Sequence, residues 1–397
     1  MNKKREKRGY IIFSAIFYGI ATALMIFGTF CDLKIDEALF APGQTFARLA
    51  ESYGQFVYWG MWGPALAIIF VCRRDLNGTL ALLGGVSQKI KPISNCESRA
   101  YKTINIIFKA LTSAGIFVLC AVGWKKLIEN VIKNILINTG HGKWSQPIYF
   151  AISFAVAAVS IIIASRINRE TLKKLELLAF AGVLFGAICK GVEECKTLSQ
   201  RVRFREMIAW SNGFKNSSGL SEGRFSPLTR EMINNTDFSA FTPWYKKGDA
   251  MEIYSRVDSF PSGHTTYSCT LFLSSLLCRS FEKLKKFAVS ALFVSTAYTA
   301  AMGYTRLAAG AHYLTDVAAA AIIGYTAFVT VRFIYIIVIS RSEKLQVFRP
   351  CPAEVSCRPH SPRCGTDNSL RSLYRPRFPW LTTNLANRHF RIFRFWL

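Results

Sequence analysis

The chain has 397 residues, 51% of them hydrophobic and 14% aromatic, and a formal net charge of +26 from 50 Lys and Arg against 24 Asp and Glu. Apolar runs of membrane-spanning length recur along it, which excludes an ordinary soluble domain. No basic stripe interleaved with aromatics and no nucleic-acid-binding motif stands outside those runs, so the basic excess reads as loops held against anionic lipid headgroups rather than as a nucleic-acid footprint.

Crossing a hydrocarbon core takes about 20 helical residues, because the core is about 30 Å thick and each residue rises about 1.5 Å. The first apolar run, Ile11 to Phe30, follows the basic MNKKREKR. It is too long for a signal-peptide core and lacks a small-residue cleavage site, so it reads as a retained anchor. Further candidate spans follow at Phe56–Cys72, Ile106–Val122, Pro147–Ser165 and Leu175–Val192. A long polar stretch, 193–260, separates them from Gly263–Cys278, Phe287–Met302 and Val317–Ser340. The expected fold is all-α: a polytopic transmembrane helical bundle of about eight spans. The 11 cysteines form no CxxC pair and no metal-finger spacing, and several lie in apolar runs where a thiol behaves as a small hydrophobe.

Lysine and arginine crowd the N-terminal tail and the loops after the second, fourth and sixth spans. Positive-inside bias makes that side cytoplasmic and puts both termini there. The loop 123–146, with four lysines on the opposite side, dissents mildly. The stretch 193–260 is then extracytoplasmic, together with the starts of the sixth and eighth spans. Trp210, Trp244 and Tyr245 in that stretch read as headgroup-level anchors. From Glu343 onward the composition changes, with nine Arg against one Lys and six of the 13 prolines, and a disordered basic tail is expected. The switch from Lys to Arg also fits translation in a shifted reading frame, which mass spectrometry of the natural C-terminal peptide would decide.

Three pieces of chain meet on the outer side. The first, CKTLSQRVRFRE, carries Lys196 and Arg203; the second is Pro261-Ser262-Gly263-His264; the third, TRLAAGAHYLTDV, carries Arg306, His312 and Asp316. Each has a bland reading alone: snorkelling cations, a turn at a helix start, a structural ion pair. Together they are an inventory for handling phosphate. Lys196 is a point charge, and Arg203 and Arg306 are planar forks that bond two phosphate oxygens each. Ser262 and the Gly263 amide add donors at a helix N-terminus. His312 and Asp316, four apart, share a helix face, so the carboxylate is expected to accept from one ring nitrogen while the other lone pair points outward. His312 is thus the candidate nucleophile and His264 the candidate general acid and then base. The cations supply the electrostatics, so neither metal nor cofactor is expected.

These residues resemble the three signature motifs of the phosphatidic acid phosphatase type 2 family, the lipid phosphate phosphatases related to haloperoxidases. Lys196, six residues, Arg203 resembles the first motif, with Phe204 where the family has Pro, a change expected to remove a rigid turn. Pro261 to His264 matches the second in full. Thr305-Arg306, five residues, His312, three residues, Asp316 resembles the third, with Thr305 in place of Ser. The resemblance covers residues 177–340, and the first two spans read as additions to its six-helix core.

It implies three regions: spans one and two with a cytoplasmic loop (1–104), a phosphatase-like membrane domain (105–342) with its outer loop 193–260, and the tail (343–397). It also implies metal-independent dephosphorylation of a lipid phosphate or diphosphate through a phosphohistidine, in the cell membrane and at its extracytoplasmic face. Phosphatidic acid, phosphatidylglycerol phosphate and a polyprenyl diphosphate are the candidate substrates. A non-hydrolytic lipid-phosphate binding or transport protein, or a phosphotransferase with the same cradle, remains the alternative. The oligomeric state is not legible.

Overall fold

The computed structural model describes residues 3–73, 99–138, 146–214, 228–248, 254 and 257–347. The expected tail lies outside them except for 343–347, which continue the last helix, and so does most of the first cytoplasmic loop. Chain contacts divide into two units, Met1–Lys344 and Leu345–Leu397, and the core and the site lie in the first.

The described residues are helical, and their lone bridge pairs Arg201 with Asp258. In chain order the helices are α1 (Lys3–Leu39), α2 (Thr45–Tyr53), α3 (Phe56–Arg73), α4 (Arg99–Asn138), α5 (Gln146–Ser165), α6 (Arg169–Glu194) and α7 (Phe204–Ser211). They continue with α8 (Gly263–Ser268), α9 (Leu273–Ser280), α10 (Ala288–Ala308) and α11 (Leu314–Val347). Six stretches among the described residues are long and apolar enough to cross a membrane: Lys7–Leu39, Thr45–Cys72, Gln146–Ser165, Arg169–Glu194, Lys285–Ala308 and Leu314–Ser340. The chain is an integral membrane helical bundle.

The two remaining expected spans take other forms. Ile106–Val122 lies inside α4, a single 40-residue helix. Gly263–Cys278 is broken into α8, a 3-10 turn at Cys269–Phe272, and α9. Side chains account for the break: Ser268 Oγ and Cys269 Sγ both donate to the Thr265 carbonyl, and Ser275 Oγ donates to the Phe272 carbonyl. Such back-bonding competes with the helical ladder and tightens the turn. The segment 31–55, expected as a loop, is also mostly helical. α1 runs through Asp32 and Asp36 to Leu39, and α2 follows after a short turn.

The core is aromatic and joins distant parts of the chain. Phe13 and Phe17 of α1 meet Phe272 of the 3-10 turn and Tyr325 and Phe328 of α11, with the Phe17 and Tyr325 rings 4.3 Å apart. Tyr58 of α3 stacks on Tyr267 of α8 at 3.9 Å and donates to the Gly186 carbonyl of α6 at 2.9 Å. Rings of this size supply much of the burial energy and fix orientation through edge-to-face contacts. A second cluster closes one end of the bundle. Phe40, Val202, Phe204, Met207, Ile208, Leu228 and Tyr313 are all buried there, so parts of the polar stretch fold as a packed cap.

Phe272 is fully buried where α1, α8 and α11 meet. Phe272→Ala should cost about 3–5 kcal/mol, the usual range for emptying a core aromatic site. The measurement is thermal denaturation of detergent-solubilised protein, and an unchanged melting temperature would contradict this account of the core.

Candidate active site

The capped end of the bundle holds a cavity of about 370 Å³, lined among others by Lys196, Arg203, Arg205, Arg306, His264, His312, Glu51, Gln55, Glu193 and Asp258. All three quoted stretches of sequence therefore reach one cavity. Lys196 enters from the 3-10 turn that ends α6 (Cys195–Leu198), Arg203 from the cap of α7, and His264 from the first turn of α8. Arg306 comes from the last turn of α10 and His312 from the turn between α10 and α11. Gly310 makes that turn possible: its φ of +60° suits a residue without Cβ, and its carbonyl accepts from the Arg205 amide at 2.9 Å.

His312 is 2% exposed, and its Nδ1 lies 2.6 Å from the Ser259 carbonyl oxygen. A carbonyl can only accept, so Nδ1 carries the proton and Nε2 keeps its lone pair. Asp316 does not take the role expected of it, because its Oδ2 is 3.7 Å from Nδ1. Its oxygens are already used: Oδ1 accepts from Arg201 at 2.5 Å, and Oδ2 accepts from Ser259 Oγ at 2.5 Å and from the Tyr313 amide at 2.9 Å. Asp316 fixes Ser259, and Ser259 fixes the ring. Burial foremost, and then the nearby cations Arg203 and Lys196, hold the His312 imidazole below its ordinary pKa, while Asp316 pulls the other way.

Arg201 was not singled out in the sequence and is the centre of this arrangement. It is fully buried between Asp316 and Asp32 of α1, with ion pairs of 2.5 and 2.8 Å. It also donates to the Thr242 carbonyl and to Thr315, and its guanidinium lies 4.0 Å from the Tyr313 ring centroid. Asp32 accepts in turn from the Thr315 amide at 3.0 Å and bonds the Thr315 hydroxyl. A sequence signal did exist, since acids at Asp32 and Asp36 next to an apolar run are rare without a partner or a function.

The cations are held by named groups. Lys196 is nearly buried, and burial, followed by repulsion from Arg203, lowers its pKa. A Cβ on Gly263 would stand 2.6 Å from Lys196 Nζ, so glycine lets the ammonium sit close to the backbone there. Arg203 pairs with Asp258 at 3.0 Å. Phe204, expected to loosen this turn, instead secures it. Its fully buried ring stacks on Phe238 and meets Phe40 edge-on, at the first helical position where proline is also tolerated. Ser262 does not line the cavity: its hydroxyl accepts from Thr265 and its amide donates to the Asp316 carbonyl at 3.1 Å. Thr305 also turns away, donating to the Met302 carbonyl.

Of the two spans read as additions, the second, with α2 before it, builds one wall of the cavity. The Glu51 carboxylate pairs with Arg205 at 2.9 Å and lies 3.9 Å from Arg306, which also donates to the Ala47 carbonyl. The Gln55 amide nitrogen lies 3.3 Å from both ring nitrogens of His264, while its oxygen accepts from the Trp59 indole. His264 Nε2 is 3.3 Å from the Glu51 carbonyl oxygen. Among the described residues, no three His, Cys, Asp or Glu side chains converge as a metal site.

Fold and cavity together define an integral membrane helical bundle with a cavity lined by four cations at one end. Residues 207–341 match the family model described as PAP2 superfamily, which supports a relationship to the phosphatidic acid phosphatase type 2 family. The match contains Gly263, His264, Arg306, His312 and Asp316 and begins after Lys196 and Arg203. No curated protein and no solved structure matches the chain. At the level of the superfamily, the match implies phosphatase chemistry on lipid-type substrates.

Arg201 and Asp32 tie α1 to the segment that precedes α7. Asp32→Asn removes one of the two carboxylates on the buried Arg201 and leaves Asp316 as its remaining ion pair, a loss of about 1.5–3 kcal/mol for a hydrogen bond to a charged group. The expected result is a lowered melting temperature together with loss of activity. A variant that melts like the wild type would show that the pair does not hold the site.

Proposed function

We propose that the protein is an integral membrane phosphatase that hydrolyses a lipid phosphate or diphosphate through a phosphohistidine intermediate. One observation carries the reading. His312 is pinned through Nδ1 to the Ser259 carbonyl, and it lines the same cavity as Lys196, Arg203 and Arg306. A neutral imidazole so fixed is a nucleophile with its lone pair in reserve. Three cations at the same cavity are suited to the oxygens of a phosphoryl group, where hydrogen bonds tighten as charge builds in the transition state.

The chemistry follows from the placement. Nε2 of His312 attacks phosphorus, the P–N bond forms, and the bond from phosphorus to the lipid oxygen breaks. Burial, and then Arg306, hold the His264 ring below its ordinary pKa in the free protein, so His264 takes up its proton as the phosphate charge arrives. It then gives that proton to the departing oxygen, releasing the lipid alcohol, or the lipid phosphate when the substrate is a diphosphate. Water then attacks the phosphorus of phosphohistidine while His264 takes a proton from it, and inorganic phosphate leaves. Ser259, held by Asp316, keeps the His312 ring in register through both steps, and the Asp316 charge 3.7 Å away offsets the positive imidazole of the intermediate. Gln55 and the Glu51 carbonyl position His264. A cavity at the end of a membrane bundle suits a substrate whose chain stays in the bilayer. The lysine and arginine bias of the loops supports an extracytoplasmic site in the cell membrane, with both termini in the cytoplasm.

Phosphate release from a panel of lipids with varied headgroups, including phosphatidic acid, phosphatidylglycerol phosphate and a polyprenyl diphosphate, tests the reading. His312→Ala should lose at least about 10³-fold in kcat, as expected for a group bonded to the reacting atom. Vanadate should inhibit. Rapid quench with radiolabelled substrate should trap an acid-labile, base-stable phosphoprotein that the variant lacks. Because burial holds the imidazole below its ordinary pKa, phosphoprotein formation should persist as pH falls below about 6.5, where an exposed histidine would protonate. Retained turnover in His312→Ala would sink the mechanism, and label passing to an acceptor other than water would reassign the protein as a phosphotransferase.

A further inference from the structure

The cavity is less positive than its cations suggest. Lys196, Arg203, Arg205 and Arg306 line it, but so do Glu51, Glu193 and Asp258. Asp258 is committed to Arg203. Glu193 accepts from Lys190, outside the cavity, and from the Tyr267 hydroxyl. Glu51 differs from both because it belongs to no motif, comes from α2, and faces two cations at once. Its Oε1 lies 2.9 Å from Arg205 Nη1 and 3.9 Å from Arg306 Nη1.

Arg205 matters here because it is the cation a second phosphate would need. It is 5% exposed, and its Nε has no hydrogen-bond partner, as is also true of Arg306 Nε. With Glu51 ionised, Arg205 is already neutralised, and any group beyond the phosphoryl on Lys196 and Arg306 meets a carboxylate. A like charge inside a partly desolvated cavity is strongly disfavoured.

We propose that Glu51 sets the charge the cavity accepts, so that the site takes a lipid with one phosphoryl group and rejects a diphosphate of the same chain. This rests on the phosphatase reading above and narrows its substrate class to phosphomonoesters. Discrimination by a placed repulsive group, rather than by added contacts, is a common route to specificity. The hydrogen bond from His264 to Glu51 is to the backbone carbonyl and survives a side-chain change. The Glu51 charge also favours protonated His264, so its loss through the general acid would fall on both lipids alike, and the ratio between them reads the charge limit.

The test compares full-length protein in micelles on a polyprenyl monophosphate and the diphosphate of the same chain. Wild type should favour the monophosphate in kcat/KM by about tenfold or more, and Glu51→Gln should narrow that ratio by about tenfold, with absolute gain on the diphosphate. Glu51→Asp, which keeps the charge, should keep the preference. Equal kcat/KM for the two lipids in wild type, or an equal loss on both in Glu51→Gln, overturns the proposal. If wild type releases phosphate from neither these lipids nor any other in the headgroup panel, the phosphatase reading fails. The charge limit is then decided by binding, read as thermal stabilisation by the same two lipids. Tighter monophosphate binding that Glu51→Gln abolishes supports it, and equal binding overturns it.

Discussion

A guanidinium buried between two carboxylates organises this molecule. Arg201 reaches Asp32 on α1 and Asp316 on α11, residues 169 and 115 positions away in the chain. Burying one charge is costly and burying three is worse unless each finds its partners. Here they do: Thr242, Thr315, Ser259 and the Tyr313 amide take up the remaining hydrogen-bonding capacity. The arrangement is demanding, because losing any member strands the others. It therefore fixes the end of the bundle more tightly than apolar contact alone, which is tolerant of sliding.

The geometry around His312 is a consequence of that demand. Because Asp316 spends its oxygens on Arg201, Ser259 and Tyr313, it stays 3.7 Å from His312 Nδ1 and acts on the ring by its charge, while the Ser259 carbonyl takes the hydrogen bond. The Ser259 amide donates to the Arg201 carbonyl at 3.1 Å, which places the Ser259 carbonyl where the imidazole must meet it. Arg201 thus sets the tautomer of a ring it never touches. The price of the ion network is spent twice, once on stability and once on the orientation of a lone pair. Phe204 shows the same economy, since packing against Phe40 and Phe238 achieves what a rigid ring in the backbone would otherwise provide.

Much of this was legible in the sequence. Apolar runs gave the helical membrane class, and the spacing of Lys196, Arg203, His264, Arg306, His312 and Asp316 marked side chains that do approach one cavity, save that Asp316 stands behind it. What could not be read has physical causes. Periodicity does not distinguish a straight span from one broken by Ser268, Cys269 and Ser275 bonding back to the backbone. Charge counting treats Asp32 and Glu51 as loop acids, because nothing local says that α1 continues beyond its apolar run or that α2 exists. Ser262 was assigned to phosphate on the strength of its position, whereas a hydroxyl before a helix has a nearer partner in the amides of its own first turn. Arg201 lay hidden for a plainer reason. Five residues from Lys196 and two from Arg203, it looks like one more interfacial cation, and only the fold shows which of the three is turned inward.

The cavity poses an electrostatic problem that its own acids resolve. Four cations brought together repel one another. Carboxylates at Glu51 and Asp258, with the Ala47 carbonyl, hold Arg203, Arg205 and Arg306 in place. The cost appears on binding, because an arriving phosphate must compete with groups already satisfied. That competition weakens ground-state affinity more than it weakens transition-state stabilisation, since charge on the equatorial oxygens grows only as the bond breaks. Cations preorganised by their own counter-ions therefore need little reorganisation at the moment of reaction, and modest hold on the substrate is the expected companion of that readiness.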